Sequence, residues 1–172
     1  TAIRNKQKNV TVTVSRSLTQ PSRRGEDWNY LSGTLTEVKA IAAAATKQRI
    51  KNTVYAGKDA TEEIFKSSSG ANSPGILHVA THGFFFPDPQ KENAGEWEEE
   101  EQVFRSSDNP LNRSGILLAG ANRAWNGEVM PEGAEDGILT AYEAGNLYFG
   151  KTQLVVLSAC ETGLGDIKGS EG

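Results

Sequence analysis

Three features of the sequence predict an α/β domain built on a mainly parallel sheet. Gln153 to Gly165 reads QLVVLSACETGLG, in which Leu154, Val155, Val156 and Leu157 form an apolar run too short for a helix and β-branched in its middle. That is the pattern of a strand buried on both faces of a parallel sheet. Ile76 to Gly83, ILHVATHG, repeats it, an apolar strand running into His82-Gly83. Between and before these two stretches, strand and helix patterns alternate roughly as β-α-β-α-β-loop-β-α-β. Such an order argues for parallel strands joined by right-handed crossovers.

Each element has its own signal. Asn9 to Ser15, NVTVTVS, alternates valine with threonine, the two-residue period of a half-buried strand. After the turn-rich QPSRRG of residues 20–25 come Trp28, Tyr30 and Leu31, apolar side chains expected to cover the edge of the sheet. Thr34-Leu-Thr-Glu37 has capping-box spacing and is expected to open a helix that runs to about Arg49. Leu35, Val38, Ile41, Ala42 and Ala45 give that helix one apolar stripe. Asn52 to Ala56 is a short strand, Gly57 a break, and Asp59 the expected cap of a second helix through about Lys66. A polar loop, residues 67–75, leads into the His82 strand.

A long hydrophilic connection follows, from Phe86 to about Arg113, including the run Glu98 to Glu101. Loops of this length in compact domains are usually functional or mobile. The acidic run is expected to be solvated; functionally, it would repel acidic substrates or hold a basic segment over the site. Ser114 to Ala119 reads as a strand and Gly120 to Gly133 as an irregular excursion. Thr140-Ala-Tyr-Glu143 is a second capping-box spacing, opening a short helix that Gly145 weakens. No internal repeat is visible. The chain closes at Gly172 inside a glycine-rich loop, so a fragment is expected, residues 1–172 forming one domain whose C-terminal strands are missing.

Composition narrows the function. At this length one domain buries roughly 70% of the surface that its unfolded chain exposes. Eighteen basic against 22 acidic residues leave a net charge of −4, which argues against a direct nucleic-acid contact or an anionic membrane surface. No apolar run approaches the roughly 20 residues of a membrane span, and no signal peptide opens the chain. A single cysteine excludes an internal disulfide and fits a reducing compartment, so the expected location is the cytoplasm.

The chemistry concentrates at two strand ends. Carboxyl ends of strands in open α/β sheets are where ligands usually bind. Cys160 sits at one such end and His82 at another, so a thiol and an imidazole could meet there. A thiol is intrinsically nucleophilic, and a nearby imidazole can favour its thiolate and protonate a leaving amine. Glycine at position 83 permits a close backbone approach that a Cβ would obstruct, and Gly163 and Gly165 would serve the same end beyond Cys160. No acidic third member is evident, so the pattern is a dyad.

Other readings compete with it. A lone cysteine at a strand end is commonly a small core hydrophobe. His78, inside its strand, reads as a packed, hydrogen-bonded imidazole. A zinc site from His78, His82 and Cys160 is disfavoured, because residues four apart in a strand are separated by roughly 13 Å while Zn–N bonds are about 2 Å. Gly163-Leu-Gly165 resembles a dinucleotide fingerprint, but position 168 is lysine where the third glycine belongs. Asp136 reads as a turn residue or as a carboxylate lining a substrate pocket. Glu161 reads as a solvated or structural carboxylate or as a pocket wall.

HVATHGFF and LSACETGLG, with DGILTAYE between them, resemble the CHAT family, relatives of caspases and separase, and the similarity covers Leu31 through Gly172. The resemblance implies a caspase-like three-layer sandwich around a mainly parallel sheet. It implies a cysteine endopeptidase with His82 as catalytic histidine and Cys160 as nucleophile. The backbone N–H groups of Gly83 and Cys160 would form the oxyanion hole. Ser158 would stand at a pocket-wall position, and the absence of glutamine there disfavours selectivity for aspartate. No cofactor and no metal are implied. Expected partners are a protein substrate and a regulatory region, such as tetratricopeptide repeats, in the same or another chain. A caspase-like scaffold that binds peptides or partners without turnover is the alternative, and a nucleotide-binding α/β domain a third.

Overall fold

The computed structural model describes residues 10–14, 27–86 and 107–159. Within them lie two small sheets. Four parallel strands, β1 (Val10–Val14), β2 (Asn52–Ala56), β3 (Ile76–Ala80) and β7 (Leu154–Ser158), are ordered β2-β1-β3-β7. Three antiparallel strands, β4 (Gly83–Phe85), β5 (Ser114–Leu117) and β6 (Ile138–Thr140), are ordered β4-β5-β6. The helices are α1 (Ser32–Lys47), α2 (Glu62–Ser67), α3 (Ala121–Trp125) and α4 (Ala141–Gly145). The expected α/β class and parallel sheet are present, but the sheet is small and the Ser114 strand belongs to the antiparallel one.

The alternation of side chains along β3 separates two cores. Ile76 and Ala80 pack with Leu35, Val38, Ile41 and Ala45, the stripe of α1 read from its spacing. Leu77 and Val79 point the other way, into a cluster with Phe65 of α2, Ile116 of β5 and Leu139 of β6. The far face of the antiparallel sheet, with Phe84, Leu117 and Ile138, closes on Trp28, Phe86 and Ala121. Trp28 therefore fills the second sheet's core and does not cover an edge; Tyr30 is exposed.

Several local expectations need correction. The stretch ILHVATHG is not one strand: β3 stops at Ala80, and after Thr81-His82 the chain enters β4 of the other sheet. The Thr81 hydroxyl donates to the carbonyl of Leu117, whose own N–H donates to the His82 carbonyl at 2.9 Å, so the bend is fastened to β5. Helix α1 begins two residues before Thr34, and the Thr34 hydroxyl donates to the Leu31 carbonyl at 2.7 Å, so no capping box forms there. Thr61, not Asp59, caps α2, accepting from the Ile64 N–H. The second capping-box spacing is realised: Thr140 Oγ1 accepts from the Glu143 N–H, and the Glu143 carboxylate accepts from the Thr140 N–H.

The strand expected to be buried on both faces is the clearest departure. Leu154, Val155, Val156 and Leu157 are 51%, 49%, 36% and 50% exposed. Strand β7 is the edge of its sheet, pairing only with β3 among the described residues, while α1 lies over β1, β2 and β3. The excursion after Gly120, expected to be irregular, contains the helix α3.

One glycine decides how that excursion closes. Gly137 has φ +79°, and a Cβ there would stand 2.6 Å from the Ala121 nitrogen and 2.9 Å from the Ala119 oxygen. Its N–H donates to Glu62 Oε2 at 2.8 Å and its carbonyl accepts from Leu118 at 2.7 Å. Gly137→Ala combines left-handed strain with overpacking against rigid backbone, an expected loss of about 2–4 kcal/mol. Urea unfolding of the variant, compared with Gly133→Ala, where φ is +78° in open space, separates the two contributions.

Candidate functional site

Strands β3 and β7 run side by side with Ala80 opposite Ser158. The Thr81 N–H donates to the Ser158 carbonyl at 3.1 Å, carrying the pairing one step past both strand ends. At the opposite end the Gln153 N–H donates to the Gly75 carbonyl at 2.8 Å and the Thr152 hydroxyl to the Pro74 carbonyl at 2.6 Å. Bonds at both ends thus hold one register, and a slip of one residue would turn every side chain to the other face.

His82 stands where the two sheets meet and is 4% exposed. The Trp28 ring covers it, centroids 4.9 Å apart at 53°. Its Nε2 lies 3.4 Å from the carbonyl oxygen of Asn29. A carbonyl only accepts, so this contact favours the tautomer with the proton on Nε2 and the lone pair on Nδ1. Burial pushes the imidazole pKa down to about 4, and the ring is therefore neutral at pH 7. Such an imidazole has a defined lone pair but is a weaker base than an ordinary histidine, so it needs an ion-pair partner to hold a proton.

Trp28 is itself held. Asn122 of α3 accepts from the Trp28 N–H at 2.9 Å and donates to the Trp28 carbonyl at 3.1 Å. One turn further on, the Asn126 amide donates to the Asp27 carboxylate at 2.8 Å. Trp125 packs edge-on against Trp28, centroids 5.2 Å apart. Sequence reasoning noticed Trp28 only as an apolar ring and missed Asn29 and Asn122. A backbone acceptor such as the Asn29 carbonyl leaves no trace in residue type.

The other sequence candidates separate clearly. His78 is buried on the α1 side of the sheet, its Nε2 3.0 Å from Glu37 Oε1, and the Ser158 hydroxyl donates to Glu37 Oε2 at 3.1 Å. His78 and Ser158 thus meet at one carboxylate of α1, away from the Trp28 cluster. Gly83 is buried at the head of β4. Asp136 accepts from the Ile138 N–H at 2.7 Å, the arrangement of a turn. Cys160 and Glu161, like Gly163, Gly165 and the Glu98–Glu101 run, lie outside the described residues.

One acidic cluster offers ligand atoms among the described residues. Glu62, Glu135 and Glu143 bring carboxylate oxygens within 4.8 Å of one another. The Lys66 ammonium stands among them, at 2.7, 3.1 and 3.2 Å. Burial opposes the charge on Lys66, but its hydrogen bonds to the three carboxylates outweigh that and raise its pKa. Burial raises the pKa of Glu62, against the pull of Lys66. The cluster ties α2 to α4 and to the turn before β6, with the cation supplied by the chain itself.

Burial of neutral His82 predicts a pH dependence of stability. The folded pKa lies below the ordinary 6.5, so this contribution is complete above pH 6.5 and is lost as the pH falls toward 4. Between pH 7 and pH 4.5 it amounts to about 2 kcal/mol. Urea unfolding at the two pH values should show wild type losing that much more than His82→Gln; equal losses would contradict the burial argument.

The family model of the CHAT domain matches residues 1–172. No curated protein and no solved structure matches the chain. No helix among the described residues is long and apolar enough to cross a membrane. With a histidine buried in the bend between a parallel and an antiparallel sheet, and the family match spanning the sequence, the chain belongs to the CHAT-domain family, which is related to the caspase-like cysteine peptidases.

Proposed function

We propose that this chain is a cysteine endopeptidase module of caspase-like, three-layer architecture that cleaves protein substrates with a His82–Cys160 dyad. The observation that carries the reading is the register of β3 and β7. Ala80 and Ser158 are partners on neighbouring parallel strands, and His82 and Cys160 are each two residues further along the chain. Neighbouring strands are about 4.8 Å apart, so the chain leaves adjacent strand ends before reaching His82 and Cys160, the His82 side bending at Thr81 toward the second sheet.

In this mechanism the Cys160 thiol passes its proton to Nδ1 of His82 as sulfur attacks the scissile carbonyl carbon. The backbone N–H groups of Gly83 and Cys160 stabilise the resulting oxyanion; one such donor is typically worth about 3 kcal/mol. Collapse breaks the C–N bond, the imidazolium protonates the leaving amine, and an acyl-enzyme remains. Water, deprotonated by the same imidazole, then hydrolyses the thioester and restores the thiol. The Asn29 carbonyl keeps the Nε2 proton in place throughout and stabilises the transient imidazolium. Glu161, next to Cys160 in sequence, is the proposed wall of the substrate pocket; Ser158 could contribute only by leaving Glu37, and Asp136 is a more distant candidate.

The module is proposed to act in the cytoplasm under the control of a regulatory region, such as tetratricopeptide repeats in the same or a partner chain. Its natural substrate need not be known for a test. A proteome-derived peptide library incubated with the full-length protein should yield new termini with a shared residue before the cut. Cys160→Ala should abolish them, and His82→Ala should slow them by about a hundredfold or more. Undiminished cleavage by Cys160→Ala would reject the mechanism. A wild type that binds peptides without cutting any would establish the scaffold reading instead.

A further inference from the structure

The 27–30 segment belongs to no helix or strand, yet it supplies both the ring that covers His82 and the carbonyl that meets its Nε2. Backbone outside regular structure must be fixed by side chains or water. Asn122 does this with both halves of its amide. Its oxygen can only accept and its NH₂ can only donate, so facing the N–H and the carbonyl of one residue admits a single orientation of the amide. Two bonds to one residue, at 2.9 and 3.1 Å, restrain position and rotation together. Asn126 lies four residues on, on the same side of α3, and holds Asp27 at 2.8 Å. The clamp and the segment it grips are 94 positions apart in sequence.

We propose that Asn122 is a positioning residue for the His82 imidazole: by fixing the backbone of Trp28, it sets the place of the next carbonyl, that of Asn29, and so the tautomer and orientation of the ring. The effect passes through two links, Asn122 to Trp28 and Asn29 to His82, and involves no contact between Asn122 and substrate. Its consequence for catalysis rests on the peptidase reading, but the geometry of the clamp does not. Loss of the amide frees the 27–30 segment to shift, the Nε2–H acceptor moves away, and the ring becomes free to carry its proton on either nitrogen. A displacement of about 1 Å in a catalytic group is enough to cost about a hundredfold in rate.

The chain has only two histidines, so long-range proton–nitrogen NMR correlations of the ¹⁵N-histidine-labelled full-length protein read both tautomers, with His78→Gln assigning the signals. Wild-type His82 should show a single Nε2–H form. Asn122→Ala should give a mixture of both tautomers and a His82 pKa moved from about 4 toward 6.5, with the His78 signals unchanged. Asn122→Asp keeps an acceptor for the Trp28 N–H and loses the donor to its carbonyl; it should shift His82 in the same direction and serves if Asn122→Ala fails to fold. In the cleavage assay both variants should lower kcat by about tenfold to a hundredfold with a smaller change in KM. A folded Asn122 variant whose His82 keeps the wild-type tautomer and pKa overturns the proposal. Because the NMR readout needs no turnover, a response of His82 together with cleavage that survives Cys160→Ala would reject the peptidase reading alone.

Discussion

The register between β3 and β7 is the constraint on which the site depends. Bonds from Thr152 and Gln153 at one end and from Thr81 at the other hold Ala80 opposite Ser158. The apolar side chains of β7 contribute little to this, since all four are at least a third exposed. What holds the strand is backbone pairing to β3, supplemented by the Ser158–Glu37 hydrogen bond at its carboxyl end. Parallel pairing with that register brings the carboxyl ends of the two strands, Ala80 and Ser158, out on the same rim of the sheet.

From that rim the chain after β3 turns into a second sheet, and the turn creates the environment of His82. A histidine at a freely solvated strand end would have an ordinary pKa. Here the bend at Thr81 is fastened to Leu117, and Trp28, backed by Trp125, shuts water from the ring. The price is paid in solvation of the imidazolium, which is what depresses the pKa. The result is a neutral ring held between the two sheets, its Nε2 facing the Asn29 carbonyl. The same packing explains why an irregular segment, residues 27–30, is as important to the site as any strand.

Much of this was legible in the sequence, and the failures have physical causes. The α1 stripe was readable because three- and four-residue spacing of Leu35, Val38, Ile41 and Ala45 leaves few alternatives. Thr140–Glu143 formed its capping box, whereas Thr34–Glu37, with the same spacing, did not: the helix starts earlier, and the Glu37 carboxylate is drawn across to His78 and Ser158. A local spacing rule cannot foresee a tertiary competitor. The run Leu154–Leu157 marked a strand correctly but could not distinguish a central strand from an edge, because apolar character does not record which neighbours are present. ILHVATHG gave no warning of a bend, since each of its residues is at home in either sheet. The pattern puts His82 at the end of one strand, whereas it lies past a bend between two sheets, and its partner, a peptide carbonyl at Asn29, leaves no mark in residue type.

The proposed dyad needs an imidazole within reach of the thiol, and the single cysteine makes that directly measurable. The rate of iodoacetamide alkylation of Cys160, followed by intact mass at pH 6 to 7, reports how readily its proton is lost. With the thiol alongside, thiolate–imidazolium pairing offsets the burial that lowers the His82 pKa, so wild type should react about tenfold faster or more than His82→Gln in that range, the two converging as the pH passes the free-thiol value of about 8.5. Equal rates across the whole range would show that His82 and Cys160 do not meet, and the account would be wrong.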